Sequence, residues 1–271
     1  MKLLTGRRVL FALATLVLFV LAVVQARANR LELGDPTVWT GYYLIALMLF
    51  LGAFSLRKKL SMVPLGKAST WLRLHVAGGV LALLLYWLHT GTLWPNGVYE
   101  QVLGAAFYLV SVTGIVGYVL QRIYPVRLTQ TSVEVIYERI PAEIAALREA
   151  AEAIVFQCTE ETGSDTLARH YLETFHAFFR RPRNFLSHAV GGQRGGHWVR
   201  QQIADLRRYL DEAEQRHLEG LAKLAFDKNR IDFHYTAQTI MKGWLLIHLP
   251  LSVLMVVLAV WHFILVHVHT L

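Results

Sequence analysis

The sequence predicts an all-α protein, an integral membrane bundle of five transmembrane helices with a mostly helical cytoplasmic insertion. Three observations predict it. Of 271 residues 55% are hydrophobic, and the mean hydropathy is +0.39, too apolar for a water-soluble domain of this length. Five stretches, about 9–26, 38–56, 71–92, 101–121 and 242–268, are rich in Leu, Val, Ala and Phe and nearly free of charge. Each is long enough to cross a hydrocarbon core of roughly 30 Å. Charge is segregated: residues 127–241 hold 15 Lys+Arg and 16 Asp+Glu, whereas the rest holds 12 basic residues against Glu32, Asp35 and Glu100. The net charge of +8 therefore flanks the apolar stretches instead of coating a folded domain, which argues against a nucleic-acid partner.

The basic residues gather at alternate span ends: Lys2, Arg7 and Arg8, then Arg57, Lys58, Lys59 and Lys67, then Arg122 and Arg127. The positive-inside rule then places the N-terminus and the insertion in the cytoplasm and the C-terminus outside, as for a multi-pass protein of a bacterial inner membrane. Lys2, Arg7 and Arg8 before an apolar run, with Ala26-Arg27-Ala28 after it, also have the form of a secretory signal. We expect a retained span, and cleavage would leave the orientation of the other four unchanged. The expected organisation is 1–126 with four spans, 127–241 as the insertion and 242–271 with the fifth span.

Within the insertion the periodicity is helical. Pro141 opens an amphipathic run to about Cys158, with Ile144, Leu147, Ala151, Ile154 and Val155 on one face. Ser164 is the expected N-cap of a second helix ending near Phe179, before Arg180-Arg181-Pro182-Arg183. A third helix is expected from about Trp198 to Phe226. Residues 131–137 alternate in the manner of a short strand. Cys158, the single cysteine, reads as a small buried residue. Gly191-Gly192-Gln193-Arg194-Gly195-Gly196 follows no strand, so a connector is expected there in preference to a phosphate-binding loop. His170, His176, His188, His197, His217 and His234 are scattered, without the spacing of a metal site.

The histidines of the spans are not scattered. His75 and His89 lie fourteen residues apart, and so do His248 and His262. Fourteen residues at about 100° each return to within roughly 40° of the starting face, after a rise of about 21 Å. Each helix thus shows two imidazoles on one face, near opposite sides of the core. Interfacial histidines are the plain alternative for a single residue. The same spacing repeated on a second helix argues for function, because ionisable groups inside a membrane are costly. Gly78 and Gly79 fit either a flat macrocycle lying close to the backbone or ordinary helix packing. Pro250 is expected to bend the helix beside His248. His269 shares the face of His262 but lies near headgroups or water, and His267 points elsewhere, so His262 is favoured as the ligand.

A fourteen-residue step is too long for two ligands on one helix to share zinc, and the spans carry neither H-E-x-x-H nor a carboxylate. Haem needs only two axial ligands. With two imidazoles the iron has no open position, which implies electron transfer and not oxygen binding. The topology pairs His75 with His248 toward the cytoplasm and His89 with His262 toward the outside. Arg73, Lys242 and Arg122, at the inner edge, are candidates for the propionates, with positive-inside anchoring the plainer role for each.

Two parallel helices, each with His-x13-His, resemble the dihaem b-type membrane cytochromes. The spacing is similar to that in cytochrome b of the cytochrome bc complexes. The placement on the third and fifth spans is similar to the transmembrane domain of ferric reductases and NADPH oxidases. The resemblance covers roughly 40–125 and 240–268. It lacks a sixth span and a flavin/nicotinamide domain, so a self-contained ferric reductase is not expected. It implies two haem b, metal ligands His75, His89, His248 and His262, and cofactor contacts at Gly78, Gly79 and Arg73. It implies an electron-transfer subunit of an oxidoreductase in a respiratory chain. A soluble cytoplasmic redox partner would dock on the insertion, and a periplasmic cytochrome or membrane quinone would face the outer haem. One rival is a quinol-oxidising or quinone-reducing anchor using Tyr86, Tyr108, Ser111, Thr113 or Ser252, each equally suited to interhelical hydrogen bonding. A rival of another class is a haem-free scaffold or sensor.

Overall fold

The structure, a computed structural model, describes residues 2–32, 34–54, 67–131 and 134–270. The side chains of residues 2–5, 7, 8, 269 and 270 are also outside the described set, as are the basic residues 57–59. No strand occurs among the described residues. The helices are α1 (Lys2–Leu31), α2 (Pro36–Gly52), α3 (Ala68–Thr90), α4 (Val98–Thr129), α5 (Ile140–Thr162), α6 (Thr166–His170), α7 (His176–Phe179), α8 (Phe185–Ala189), α9 (Arg194–Arg207) and α10 (Glu212–Thr270). Two compact units result, one of Met1–Val119 with Trp244–Leu271, the other of Leu120–Gly243.

In the first unit α1, α2 and α3 pack against one another. The stretches Val9–Leu31, Ala68–Thr90, Val98–Thr129 and Glu212–Val268 are long and apolar enough to cross a membrane. At 17 residues, α2 is apolar but shorter, reaching about 25 Å at 1.5 Å per residue. Asp35 caps it: its carboxylate accepts from the Thr37 backbone N–H at 2.8 Å and from the Thr37 hydroxyl at 2.7 Å. Those bonds hold the Asp35 carboxyl below the usual carboxylate range. Leu10, Leu16, Val112, Ile115, Leu246 and Val257 stand exposed, the outer coat expected of helices that face lipid. Leu44, Met48, Ala82, Leu85, Phe107 and Met255 form the interior.

The second unit has its own core, in which Phe175, Phe178, Phe179, Leu218, Leu221 and Cys158 are buried. The 131–137 strand does not form. Residues 134–136 are irregular and Tyr137–Arg139 is a 3-10 turn, while 132 and 133 lie outside the described residues. Among the described residues no second strand runs alongside; instead Val135 and Tyr137 pack on Ile140, Ile144 and Ile231, and Gln238 donates to the Val135 carbonyl at 2.8 Å. A π turn, Tyr171–Phe175, joins α6 to α7; Asp165, not the expected Ser164, stands at the N-cap of α6, and Ser164 Oγ, one residue earlier, accepts from the Thr166 N–H at 3.3 Å. The expected 198–226 helix is instead divided at Arg208–Leu210. Asp211 and Glu214 form a reciprocal capping box: Glu214 N–H donates to Asp211 at 2.7 Å and Asp211 N–H to Glu214 at 3.0 Å. That box starts α10, which runs on as one helix of 59 residues through the last apolar stretch, with Pro250 inside it.

Candidate functional site

On α3, His75 and His89 lie on one face with Gly79, Ala82 and Tyr86 between them. On α10, His248 and His262 lie on one face with Ser252, Met255 and Ala259 between them. Most of these intervening residues are small, and Met255 and Ala259 share an interior with Ala82 and Tyr86. At either end of them stands an imidazole pair. The ring centroids of His75 and His248 are 6.5 Å apart with planes at 83°, and those of His89 and His262 are 6.5 Å apart at 86°. All four rings are half-buried.

That separation suits a metal between the rings. An imidazole nitrogen binds a metal at about 2.0–2.1 Å and its ring centre lies about 1 Å farther back, so two axial imidazoles hold their centroids about 6 Å apart. Rings in direct contact range from about 4.5 to 7 Å, and 6.5 Å lies near the long end.

One ring of each pair is also fixed in tautomer. His248 Nδ1 lies 2.9 Å from Thr113 Oγ1, which also has the carbonyls of Leu109 and Val110 at 3.0 Å. With the hydroxyl proton on either carbonyl, the histidine Nδ1–H is the donor to Oγ1. His89 Nδ1 donates to the Thr37 carbonyl at 3.0 Å, with Thr40 Oγ1 at 3.3 Å. A proton held on Nδ1 leaves the Nε2 lone pair for a metal, the arrangement found around metal-bound histidine. Among the described residues nothing hydrogen-bonds Nε2 of His89 or His248. His75 Nδ1 is buried without a full hydrogen bond, although the Leu51 backbone lies in reach. Aromatic rings flank the pairs: Trp244 stacks on His248 at 5.3 Å, Phe54 meets His75 at 4.8 Å, and Tyr99 stacks on His262 at 6.0 Å. Trp244 is itself held by its N–H to the Thr113 carbonyl at 2.7 Å.

The two glycines of α3 differ. A Cβ at Gly78 would meet Leu51 of α2 at 2.9 Å, so Gly78 serves helix packing. A Cβ at Gly79 would meet nothing within 4 Å, which leaves open room one turn from His75. Gly41 and Gly114, which the sequence did not single out, admit the rings of His89 and His248, whose Cε1 atoms would lie 3.0 and 3.6 Å from an added Cβ. Arg73 sits apart from the His75 face: its Nε donates to the Ser69 carbonyl at 2.9 Å, and the guanidinium lies 5.6 Å from the Phe11 ring centroid of α1. His267 is engaged by Tyr42 at 2.7 Å and the Phe263 carbonyl at 2.8 Å, while the His269 side chain is outside the described residues.

Of the hydroxyls considered for a quinone, Ser111 and Ser252 bond their own helices, Tyr108 bonds the Leu93 carbonyl, and Thr113 holds His248. Only the Tyr86 hydroxyl among these five is buried without a partner. No cluster of three or more His, Cys, Asp or Glu suited to a metal ion occurs among the described residues. Each imidazole pair offers two nitrogens, a donor set that a macrocycle would have to complete. Comparison with family models, curated proteins and solved structures found no match.

Proposed function

We propose that this chain is a dihaem cytochrome b subunit that carries electrons across a membrane. The observation that supports it best is the pair of facing imidazoles at 6.5 Å, occurring twice on the same two helices. A haem held by two imidazoles supplies one-electron iron chemistry with no open coordination site. His75 with His248 would hold one group, and His89 with His262 the other. Thr113 and Thr37 orient one ring of each pair, Gly79 leaves room for the macrocycle, and Met255, Ala259 and Ala82 exclude water between the sites. The fourteen-residue step separates the sites by about 21 Å along the helices, so one lies in each leaflet.

In this reading α2 also spans, which brings the number of spans to five. The chain sits in a bacterial inner membrane with its N-terminus and insertion in the cytoplasm. An electron crossing the whole bilayer moves through a potential worth about 2.3 kcal/mol per 100 mV. A soluble cytoplasmic redox protein or subunit would deliver or take electrons at the insertion, and a periplasmic cytochrome or quinone at the other side. The purified protein is expected to show a reduced-minus-oxidised b-type spectrum with two haems per chain; a colourless protein with intact helices would sink the proposal and leave a scaffold.

Two variants probe the details. Gly79→Leu should keep the fold, having open space to fill, and lower the haem ratio toward one, whereas Gly78→Leu should lower the thermal midpoint through its clash with Leu51. Thr113→Val keeps the shape but removes the acceptor of His248 Nδ1. Loss of such a supporting bond weakens metal sites by about 10–100-fold, read here as faster haem loss to a haem-binding acceptor protein.

A further inference from the structure

We infer that the turn Arg181–Asn184 is a binding site for the phosphate of an anionic phospholipid, at the end of the fourth apolar stretch. A cavity of about 570 Å³ is lined by Phe178, Arg181, Pro182, Arg183, Asn184 and Trp198. No carboxylate lines it, and neither arginine forms an ion pair among the described residues. Guanidinium forks without a partner around a polar hollow select an anion, phosphate above all.

The turn is clamped from beneath. Lys228 and Asp232 are both fully buried and bonded at 2.7 Å. Lys228 Nζ also donates to the Arg181 carbonyl at 2.9 Å and lies 4.2 Å from the Phe178 ring centroid. Burying an ion pair costs more desolvation than it returns in attraction unless the geometry is good. Here Lys228 holds the backbone at Arg181, and Pro182 and the left-handed Asn184 (φ 59°) on either side of Arg183 stiffen the turn.

The same segment exposes apolar side chains. Leu186 and Val190 are 80% and 83% exposed, directly after the turn. Their segment is tied to α4: the Tyr124 hydroxyl donates to the Ala189 carbonyl at 3.0 Å, and the Arg127 guanidinium lies against Gly191. Tyr124 and Arg127 follow the apolar stretch that ends near 121 by about 5–9 Å along the helix axis. Tyrosine and arginine at that depth mark the headgroup layer. A soluble phosphate would occupy the arginines but leave Leu186 and Val190 in water. A phospholipid accounts for both, with its phosphate on Arg181 and Arg183 and its acyl chains beside Leu186 and Val190.

The test uses the full chain, delipidated in detergent and titrated by native mass spectrometry. The probes are palmitoyl-oleoyl phosphatidylglycerol, palmitoyl-oleoyl phosphatidylcholine and inorganic phosphate. Wild type should prefer the anionic lipid, and Arg181→Gln/Arg183→Gln should reduce that preference about thirtyfold at unchanged helicity. Arg208→Gln/Arg216→Gln, which removes equal charge elsewhere, should leave it intact. Leu186→Ser/Val190→Ser should weaken both lipids alike. No preference in wild type, an equal loss in the control variant, or full displacement by inorganic phosphate, which would assign the site to a free anion, overturns the inference.

Discussion

On the dihaem proposal, His89→Ala should reduce the haem content of the purified protein from two per chain to one or none, and His75→Ala should do the same from the other pair. The effect is large because neither pair has a substitute ligand in reach among the described residues. His267 is already engaged by Tyr42 and the Phe263 carbonyl, and no larger donor cluster exists among the described residues. The two sites lie about 21 Å apart along the helices, so losing one need not remove the other. Haem measured against protein mass, together with the thermal midpoint, separates ligand loss from unfolding. If all four single alanine variants kept two haems per chain, the assignment of these imidazoles would be wrong.

Lys228→Met should destabilise the second unit by about 3–5 kcal/mol, because it strands the Asp232 carboxylate in a fully buried position. Lys228→Met/Asp232→Leu should recover most of the loss, since removing both charges removes the desolvation cost. The single variant carries a pH signature. Burial pushes the Asp232 carboxyl from 3.8 up to about 7 even with Lys228 beside it. A carboxyl whose folded pKa is raised binds its proton more tightly in the folded state, so its contribution is complete at low pH and lost as pH rises through the folded value. Wild type shares that loss up to about pH 7, and without Lys228 the folded carboxyl rises further, so the deficit of Lys228→Met relative to wild type should hold steady below about pH 7 and grow between about pH 7 and pH 9. Thermal midpoints of single and double variants across that range measure it; a deficit that does not change with pH would mean that Asp232 is not the stranded group.

The histidine faces were legible because a fourteen-residue step depends only on helical geometry. The partners that orient them were not. Thr37 and Thr113 lie 52 and 135 residues from the histidines they hold, on other helices, and no local pattern links them. Gly41 and Gly114 were hidden for the same reason, since each is explained only by the ring that lies against it. The short strand at 131–137 was misread because alternation describes a face, and a strand also needs a neighbour to bond. The break before α10 was written in the chain as Asp211-x-x-Glu214, a capping box masked by hydrophobic residues continuing on either side.

The two imidazoles of the last apolar stretch are carried by one helix, so their azimuths are not independent. Any turn of that stretch about its own axis moves His248 and His262 through the same angle. One residue inserted between them, beside Met255, would swing His262 by about 100° relative to His248 and break one pair while sparing the other. Seven would nearly restore the azimuth, yet shift His262 by about 10 Å along the axis. The interval between these histidines is thus fixed in length as well as in phase.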